Sequence, residues 1–566
     1  MRFAALPLRT FRSQRSRREQ TRIAQGETLG MLGKMVGAVP EGRREISRQG
    51  FAQPWRRSLV PLLPCSLSSR SLAPLLPRFL FSIPYSLLPI PLLLISACKP
   101  VGPNYSRPAY NAPPAYKEMG AASVLPPPNP AGGAWQPANP SDGMLKGKWW
   151  EIYQDPQLNN LEERIATDNV QLKQALETYL AARDQVAAAR ANFYPTLSAG
   201  SSAAREKYSE NEPLWRAGSP TTYGDFTIAG QATWEPDFWG RIRRTVEQAR
   251  ASAQASAADM AAIDLTLHAE MATDYFALRG LDSQIKLLTE TVTDLERQLD
   301  LAERRFTGGV ATQVDVAQAQ TQLETVRAQL VDLGVARAQF EHAIGTIANY
   351  NLSGFSIAPS PLDLALPKVP TGVPSQLLER RPDIAAAERQ SAAANAQIGI
   401  AISAFYPSIT LGASGGFQST SLGTWIQGPS SMWTLGGQAA ELLFDAGQRH
   451  ALTDAARHSY EAQADGYRNT VFSAFQDVED QLAALRVLEQ ELTVEQRAVD
   501  AAQHSFNLSN SRYKGGVTSY LEVLTAEQTL LQDQVTAVNI ESRQFAASVS
   551  LIRALGGGWD VTQLPK

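Results

Sequence analysis

The sequence predicts a mixed α and β membrane protein. Two copies of one unit each lend two strands to a shared β-barrel and carry a long helical hairpin beneath it. Three observations predict this. The body of the 566-residue chain repeats itself, two helical stretches run without proline for more than sixty residues, and four short stretches alternate apolar with polar residues.

The repeat sets the organisation, because a duplicated unit constrains the whole fold. "RANFYPTLSAGSS" at 190–202 matches "ISAFYPSITLGASGG" at 402–416, with Phe193-Tyr194-Pro195 on Phe405-Tyr406-Pro407 at an offset of 212. "RRFTGGVATQVDVAQAQ" at 304–320 matches "SRYKGGVTSYLEVLTAE" at 511–527 at an offset of 207, so the second copy has a shorter loop. The expected division is a leader at 1–97, an extended segment at 98–147, one repeat at 148–348, a Pro-rich linker at 349–373, a second repeat at 374–560 and a tail at 561–566.

Residues 1–97 hold 15 Lys/Arg against 4 Asp/Glu, a net of +11, and the remainder carries a net of −14. An acidic body argues against nucleic acid as the partner, since phosphate binding needs basic patches. The five His are scattered, with no metal-ligand spacing, and no nucleophile stands beside a base, so neither a metal, a cofactor nor an enzymatic activity is expected. Residues 79–97, "FLFSIPYSLLPIPLLLISA", carry no charge and follow Arg70 and Arg78. A basic region, an apolar region and small residues before Cys98 read as a secretory signal. The rival reading is a transmembrane helix, which Pro84, Pro89 and Pro91 weaken. Only Cys65 and Cys98 exist, so cleavage before Cys98 leaves no internal disulfide. "Leu-Ile-Ser-Ala-Cys" resembles a bacterial lipobox. That resemblance implies diacylglycerol on the Cys98 sulfur and an N-acyl chain such as palmitate, which together give stable anchoring. Pro64 makes Cys65 a poor alternative. Lys99 stands where an Asp would retain a lipoprotein in the inner membrane, which favours the outer one. The Arg-rich, Gly-dotted stretch before about Arg56 has no core-forming pattern, and the expectation is an over-extended start.

Residues 101–147 are rich in Pro, Gly, Ala and Asn and read as extended chain. From Trp149 the chain turns helical. Candidate strands lie near 195–203, 226–236, 408–417 and 433–443. In 226–234, Phe226, Ile228, Gly230, Ala232 and Trp234 share one face, and Thr227, Ala229, Gln231 and Thr233 the other. In 409–417, Ile409, Leu411, Ala413 and Phe417 oppose Thr410, Gly412, Ser414 and Gly416. This period of two marks strands, and apolar-out, polar-in alternation is also the pattern of a transmembrane barrel. A half-buried sheet in a soluble domain is the alternative.

From Arg241 to Thr307, and again from Gln448 to Lys514, there is no proline and a single glycine. At ~1.5 Å per residue each helix is about 100 Å long. Such lengths imply coiled-coil packing, and the many Ala permit close approach on several sides. Each helix ends at Gly308-Gly309 or Gly515-Gly516, where a second helix returns. Pro382 starts the leading helix of the second repeat, where its missing N–H costs nothing. Four strands cannot close a barrel, and an open edge in lipid leaves backbone groups unsatisfied. Several chains must therefore share one. Eight strands fill their own interior, whereas twelve, from three chains, leave room for water.

The lipobox with "VGPNY", then "WWEIYQDPQLNNL", "FYP", "WEPDFWGRIRR", "LLERRPDIAAAERQ", "RFTGGVATQVDV", "RYKGGVTSYLEV" and "ALGGGW" together resemble the TolC superfamily. The closer likeness is to the NodT branch, the outer-membrane lipoproteins of resistance–nodulation–division efflux systems. The resemblance covers essentially all of 98–560. It implies a homotrimeric, twelve-stranded outer-membrane β-barrel, four strands per chain, continued by a long periplasmic α-helical barrel with a mixed belt around its middle. It further implies a passive exit duct for small molecules such as drugs, embedded in the lipid bilayer. Its implied partners are a periplasmic membrane-fusion adaptor and an inner-membrane proton-driven pump. Gly308, Gly309, Gly515 and Gly516 match the periplasmic tips that contact the adaptor. Arg305, Thr312 and Asp315 flank the first tip, and Arg512, Tyr513 and Glu522 the second; such residues hold the family's channel end closed. An Asp315–Tyr513 contact is expected, although Val517 stands where some relatives carry a charged gating residue. Two other readings stay open: an exit duct for peptides or proteins, and a periplasmic coiled-coil scaffold without a pore.

Overall fold

The computed structural model describes residues 99–565 apart from 111, 114, 120–146, 212–215, 217, 219 and 371–373. The basic leader, the signal and Cys98 lie outside the described residues.

Each repeat opens with helix. In the first, α1 (Pro156–Asp168) starts where the Asp155 carboxylate accepts from the Gln157 and Leu158 N–H groups, and α2 (Val170–Ala191) where the Asn169 side chain accepts from Leu172. Both satisfy donors that a helix start leaves without partners. The chain then forms β1 (Thr196–Lys207) and β2 (Thr222–Trp234), followed by α3 (Arg241–Thr307) and α4 (Gln313–Ile347). The second repeat follows the same order: α5 (Pro382–Ser403), β3 (Ser408–Ser419), β4 (Ser431–Ala440), α6 (Gln448–Lys514) and α7 (Tyr520–Ala554). The two long helices have the bounds that the glycine and proline spacing predicts, at 67 residues each. The paired tip glycines end both.

The four strands make one antiparallel sheet in the order β1-β2-β3-β4. Their limits differ from the predicted ones where pairing decides them. β1 runs on to Lys207 and β2 starts at Thr222 because those two residues pair. β2 stops at Trp234, two residues before Pro236, and β4 stops at Ala440, the partner of Ser408 where β3 begins. Leu442 and Leu443 therefore lie beyond the strand.

The helices pack as neighbours down their length. α3 touches α2, α4, α5 and α7, and α6 touches α5 and α7. The largest apolar cluster lies near the middle of α3. There Tyr275 and Phe276 meet Trp149, Trp150 and Tyr153, Leu158 and Ile165 of α1, Ile344 of α4, Ile357 of the linker, and Phe545 and Val549 of α7. The linker is pinned to this belt by charge. Arg337 pairs with Asp282 at 2.7 Å and donates to the Ile357 carbonyl, and Asp282 accepts from the Ser360 N–H. Beside it, buried Glu162 and His268 stand 2.6 Å apart, and the His268 ring stacks on Trp150. Burial works against the imidazolium, but hydrogen bonds to Asp264 and Glu162 carry its pKa up to about 9.

The segment after Lys99 straps the upper helices together. Arg244 donates to the carbonyls of Val101 and Gly102 and to Asn104, each at 3.1 Å. Gly102 adopts φ +91° and a Cβ there would stand 2.5 Å from the Gly399 Cα, so only glycine fits. Further on, the Tyr105 hydroxyl donates to buried Glu388 of α5, and the Lys117 and Glu118 N–H groups donate to Glu479 of α6.

Candidate functional site: barrel wall and hairpin tips

The register assigns a face to every strand residue, because directly paired residues of antiparallel strands point the same way. Leu197 pairs with Ala232, Ala232 with Ala413 and Ala413 with Leu435. Ile228, Phe417 and Trp433 lie on that same face, and Trp234 pairs with Leu411 at its end. The opposite face carries Ser198, Gln231, Ser414 and Thr434 as one row of partners, and Ser202, Thr227 and Gln418 as another. Both sets agree with the alternation read from the sequence.

No helix or second sheet covers the apolar face among the described residues. Leu197, Trp433 and Leu435 are 82%, 80% and 76% exposed. The strands' extensive packing is on one another. A soluble sheet would have to bury that face, so the soluble-sheet alternative falls. Lipid is the solvent that suits it, and the free edges of β1 and β4 must then be closed by further copies.

At the other end of α3 and α6 the chain builds the same turn twice. Gly308 and Gly515 both sit at φ −76°, followed by Gly309 at φ +75° and Gly516 at φ +74°. The Gly309 N–H donates to the Phe306 carbonyl and that of Gly516 to Tyr513, both at 2.9 Å. The left-handed second residue explains Gly309 and Gly516. The two turns lead into differently capped helices. Thr312 and Asp315 form a reciprocal capping box: the Asp315 N–H donates to Thr312 Oγ1 at 3.3 Å and the Thr312 N–H to Asp315 Oδ2 at 2.8 Å. At the second tip Ser519 makes no side-chain cap, and Glu522 and Arg512 are exposed without a side-chain partner among the described residues.

The two tips are tied through Arg305. Its Nη1 donates to the Tyr513 carbonyl at 3.0 Å, and its guanidinium lies 4.5 Å from the Tyr513 ring centroid. Tyr513 packs on Tyr520 at 5.4 Å. Burial raises the pKa of both tyrosines, and the Asp315 charge adds to it. The expected Asp315–Tyr513 contact is not a hydrogen bond within one chain. The Tyr513 hydroxyl has no partner among the described residues, because Asp315 is turned back onto the unsatisfied donors of its own helix start.

Sequence reasoning missed the next layer. The Tyr520 hydroxyl donates to Gln298 Oε1 at 3.3 Å, and Gln298 Nε2 donates to Glu527 Oε1 at 2.7 Å. The second oxygen of Glu527 has no partner among the described residues, and burial pushes its pKa up to about 7. Its spacing carried the signal: Tyr520, Val523, Glu527 and Leu530 recur at helical intervals and put an acid on an apolar stripe.

A family model described as "Outer membrane efflux protein" matches residues 162–349 and 373–557. The chain belongs to the outer membrane efflux protein family. It is 31% identical to a toluene efflux pump outer membrane protein, TtgC of Pseudomonas putida, over 76% of this chain and 89% of that one. It is also 31% identical to the pyoverdine export outer membrane protein OpmQ of Pseudomonas aeruginosa, over 83% and 97%. The solved outer-membrane channel OprN superposes with a TM-score of 0.73 at 26% identity, covering 81% of this chain and 99% of its own. The protein is therefore an outer-membrane efflux channel. Its four strands are one third of a twelve-stranded trimeric barrel, and its helices continue that barrel into the periplasm.

Proposed function

We propose that this chain is the passive, lipid-anchored exit duct of a tripartite efflux assembly, closed at its periplasmic end until an adaptor engages the Gly-Gly tips. The carrying observation is the continuity of one path. A barrel face of Ser, Thr and Gln, with Glu206 and Asp225 its only charges, near the loop end, leads into two long hairpins that end in matching turns. The duct itself performs no chemistry; a proton-driven inner-membrane pump supplies the work.

In this reading the resting state is held by contacts such as Arg305 to Tyr513, which must break when α6 and α7 move away from α3. An adaptor opens the channel only by binding the open arrangement more tightly than the closed one. Its contacts are the exposed tips around Gly308, Gly309, Gly515 and Gly516. One relative carries toluene in its name and another pyoverdine. A hydroxyl- and amide-rich barrel face whose charges are confined to Glu206 and Asp225 suits cargo that differs this widely, so the pump, not the duct, sets cargo.

Support for lipid on Cys98 comes from where the next residues lie. The Val101 N–H donates to the Trp239 carbonyl at 3.0 Å, and Pro100 lies against Gly240, at the corner where β2 gives way to α3. That corner is the periplasmic rim of the barrel, within reach of the inner leaflet.

Planar-bilayer recordings of the purified trimer test the duct: closed, low conductance is expected until the tips are loosened, and absence of any conductance in loosened variants defeats the proposal. Copurification of a tagged chain identifies the adaptor and pump. Palmitate labelling of wild type and Cys98→Ser tests the anchor, and label retained by the variant refutes it.

A further inference from the structure

The four strands carry only four charged residues: Arg205, Glu206 and Lys207 on β1, and Asp225 on β2. The register sorts them by sign. Arg205 pairs with Gly224 and Lys207 with Thr222, on the face that carries Leu197, Phe226 and Ile228. Glu206 pairs with Tyr223 and Ala204 with Asp225, on the face of Thr227 and Gln231. Both cations therefore point out of the barrel and both anions into it.

The outward pair also stands at a particular depth. Arg205 and Lys207 lie eight and ten residues beyond Leu197 toward the hairpin loops, the end away from the helices. At about 3.3 Å per residue and a tilt near 40°, they stand about 20 and 25 Å above Leu197. The apolar band of an outer-membrane barrel is about 25 Å tall, so with Leu197 at its inner edge Lys207 stands at the outer headgroup layer and the long Arg205 side chain extends up to it. Neither makes an ion pair or side-chain hydrogen bond among the described residues, and both are exposed. The Gly224 opposite Arg205 leaves a side-chain gap over which the Phe226 ring lies, 2.8 Å from where a Cβ would stand. The Glu206 and Asp225 carboxylates are occupied on the other face, by the Tyr223 hydroxyl and by Gln418 and Thr227.

We infer that Arg205 and Lys207 form a docking surface for the phosphates of outer-leaflet lipid. Charge complementarity and continuity with the lipid-facing wall commit the surface to a phosphate-bearing lipid, because a guanidinium beside an ammonium matches phosphate oxygens in geometry and sign. Threefold repetition gives six such cations around the rim. β1 is an edge strand, so each pair stands beside a seam between copies and the bound lipid bridges that seam.

The test uses the full-length trimer in phosphatidylcholine nanodiscs, alone, with bisphosphorylated lipid A, or with lipid A stripped of its phosphates. Bisphosphorylated lipid A is expected to raise the temperature of trimer dissociation by several degrees and to survive into native mass spectra. The Arg205→Gln/Lys207→Gln variant is expected to retain at least tenfold less of it and to lose the shift. The lumen-facing Glu206→Gln/Asp225→Asn variant should keep both and shows that a rim substitution as such is harmless. An equal shift from phosphate-free lipid A, an equal shift from inorganic phosphate with phosphatidylcholine alone, or full retention by the Arg205/Lys207 variant would each overturn the inference.

Discussion

Glu527→Gln should make the protein more stable at pH 8 and leave it nearly unchanged at pH 4. The Glu527 side chain is 5% exposed, one oxygen accepts from Gln298 and the other has no partner among the described residues. Burial is the main cause that lifts its pKa from 4.5 to about 7, and the Asp294 charge on α3 adds to it, while the Gln298 hydrogen bond opposes them. A raised folded-state pKa means that the folded chain holds this proton where the unfolded chain has released it. Stability from this group is therefore undiminished below about pH 4.5, falls as pH rises, and levels off above about pH 7. Holding the proton up to about pH 7 in place of 4.5, at 1.36 kcal/mol per tenfold change in proton activity, is a loss of about 3 kcal/mol per chain at pH 8. Glutamine cannot ionise, so the variant escapes the loss. Thermal unfolding of the trimer followed at both pH values reads the difference as a gain of several degrees at pH 8 only. Equal effects at the two pH values, or destabilisation at pH 8, would rule out a buried, proton-holding Glu527. The site also has a mechanical meaning. Glu527 joins α7 to α3 two turns above the tip, on the seam that the proposed opening would part.

Arg305→Ala removes a charged hydrogen bond and a ring contact, about 2 kcal/mol together, and should raise single-channel conductance; unchanged conductance would separate Arg305 from closure. Asp315→Ala loses the capping box at about 1 kcal/mol and should speed amide exchange over the first turn of α4 without opening the channel. Gly516→Val forces a branched side chain into φ +74° at a cost of about 1–2 kcal/mol, and should abolish efflux in a complementation assay while the barrel still inserts. Arg244→Ala orphans two carbonyls and the Asn104 side chain, which should cost at least ~2 kcal/mol and expose 99–104 to limited proteolysis.

Local features were legible in the residues alone. Where proline is absent and paired glycines stop the pattern, α3 and α6 could be bounded to the residue, because helix propagation depends on neighbours three and four positions away. The tip turns, the Pro382 helix start and the two faces of the strands were legible for the same reason. The family could be named as well, since its motifs are contiguous strings. Features that join residues far apart in the chain waited for the folded arrangement. Pairing partners, not propensity, carried β1 on to Lys207 and ended β4 at Ala440. Gln298 and Glu527 are 229 positions apart, and only the packing of α3 on α7 turned an ordinary acid into a buried one. Arg305 and Tyr513 are 208 apart, and the fold gave Tyr513 to that arginine while Asp315 closed its own helix cap. The order of residues dictates which groups seek partners; the meeting of two repeats decides which of them find one.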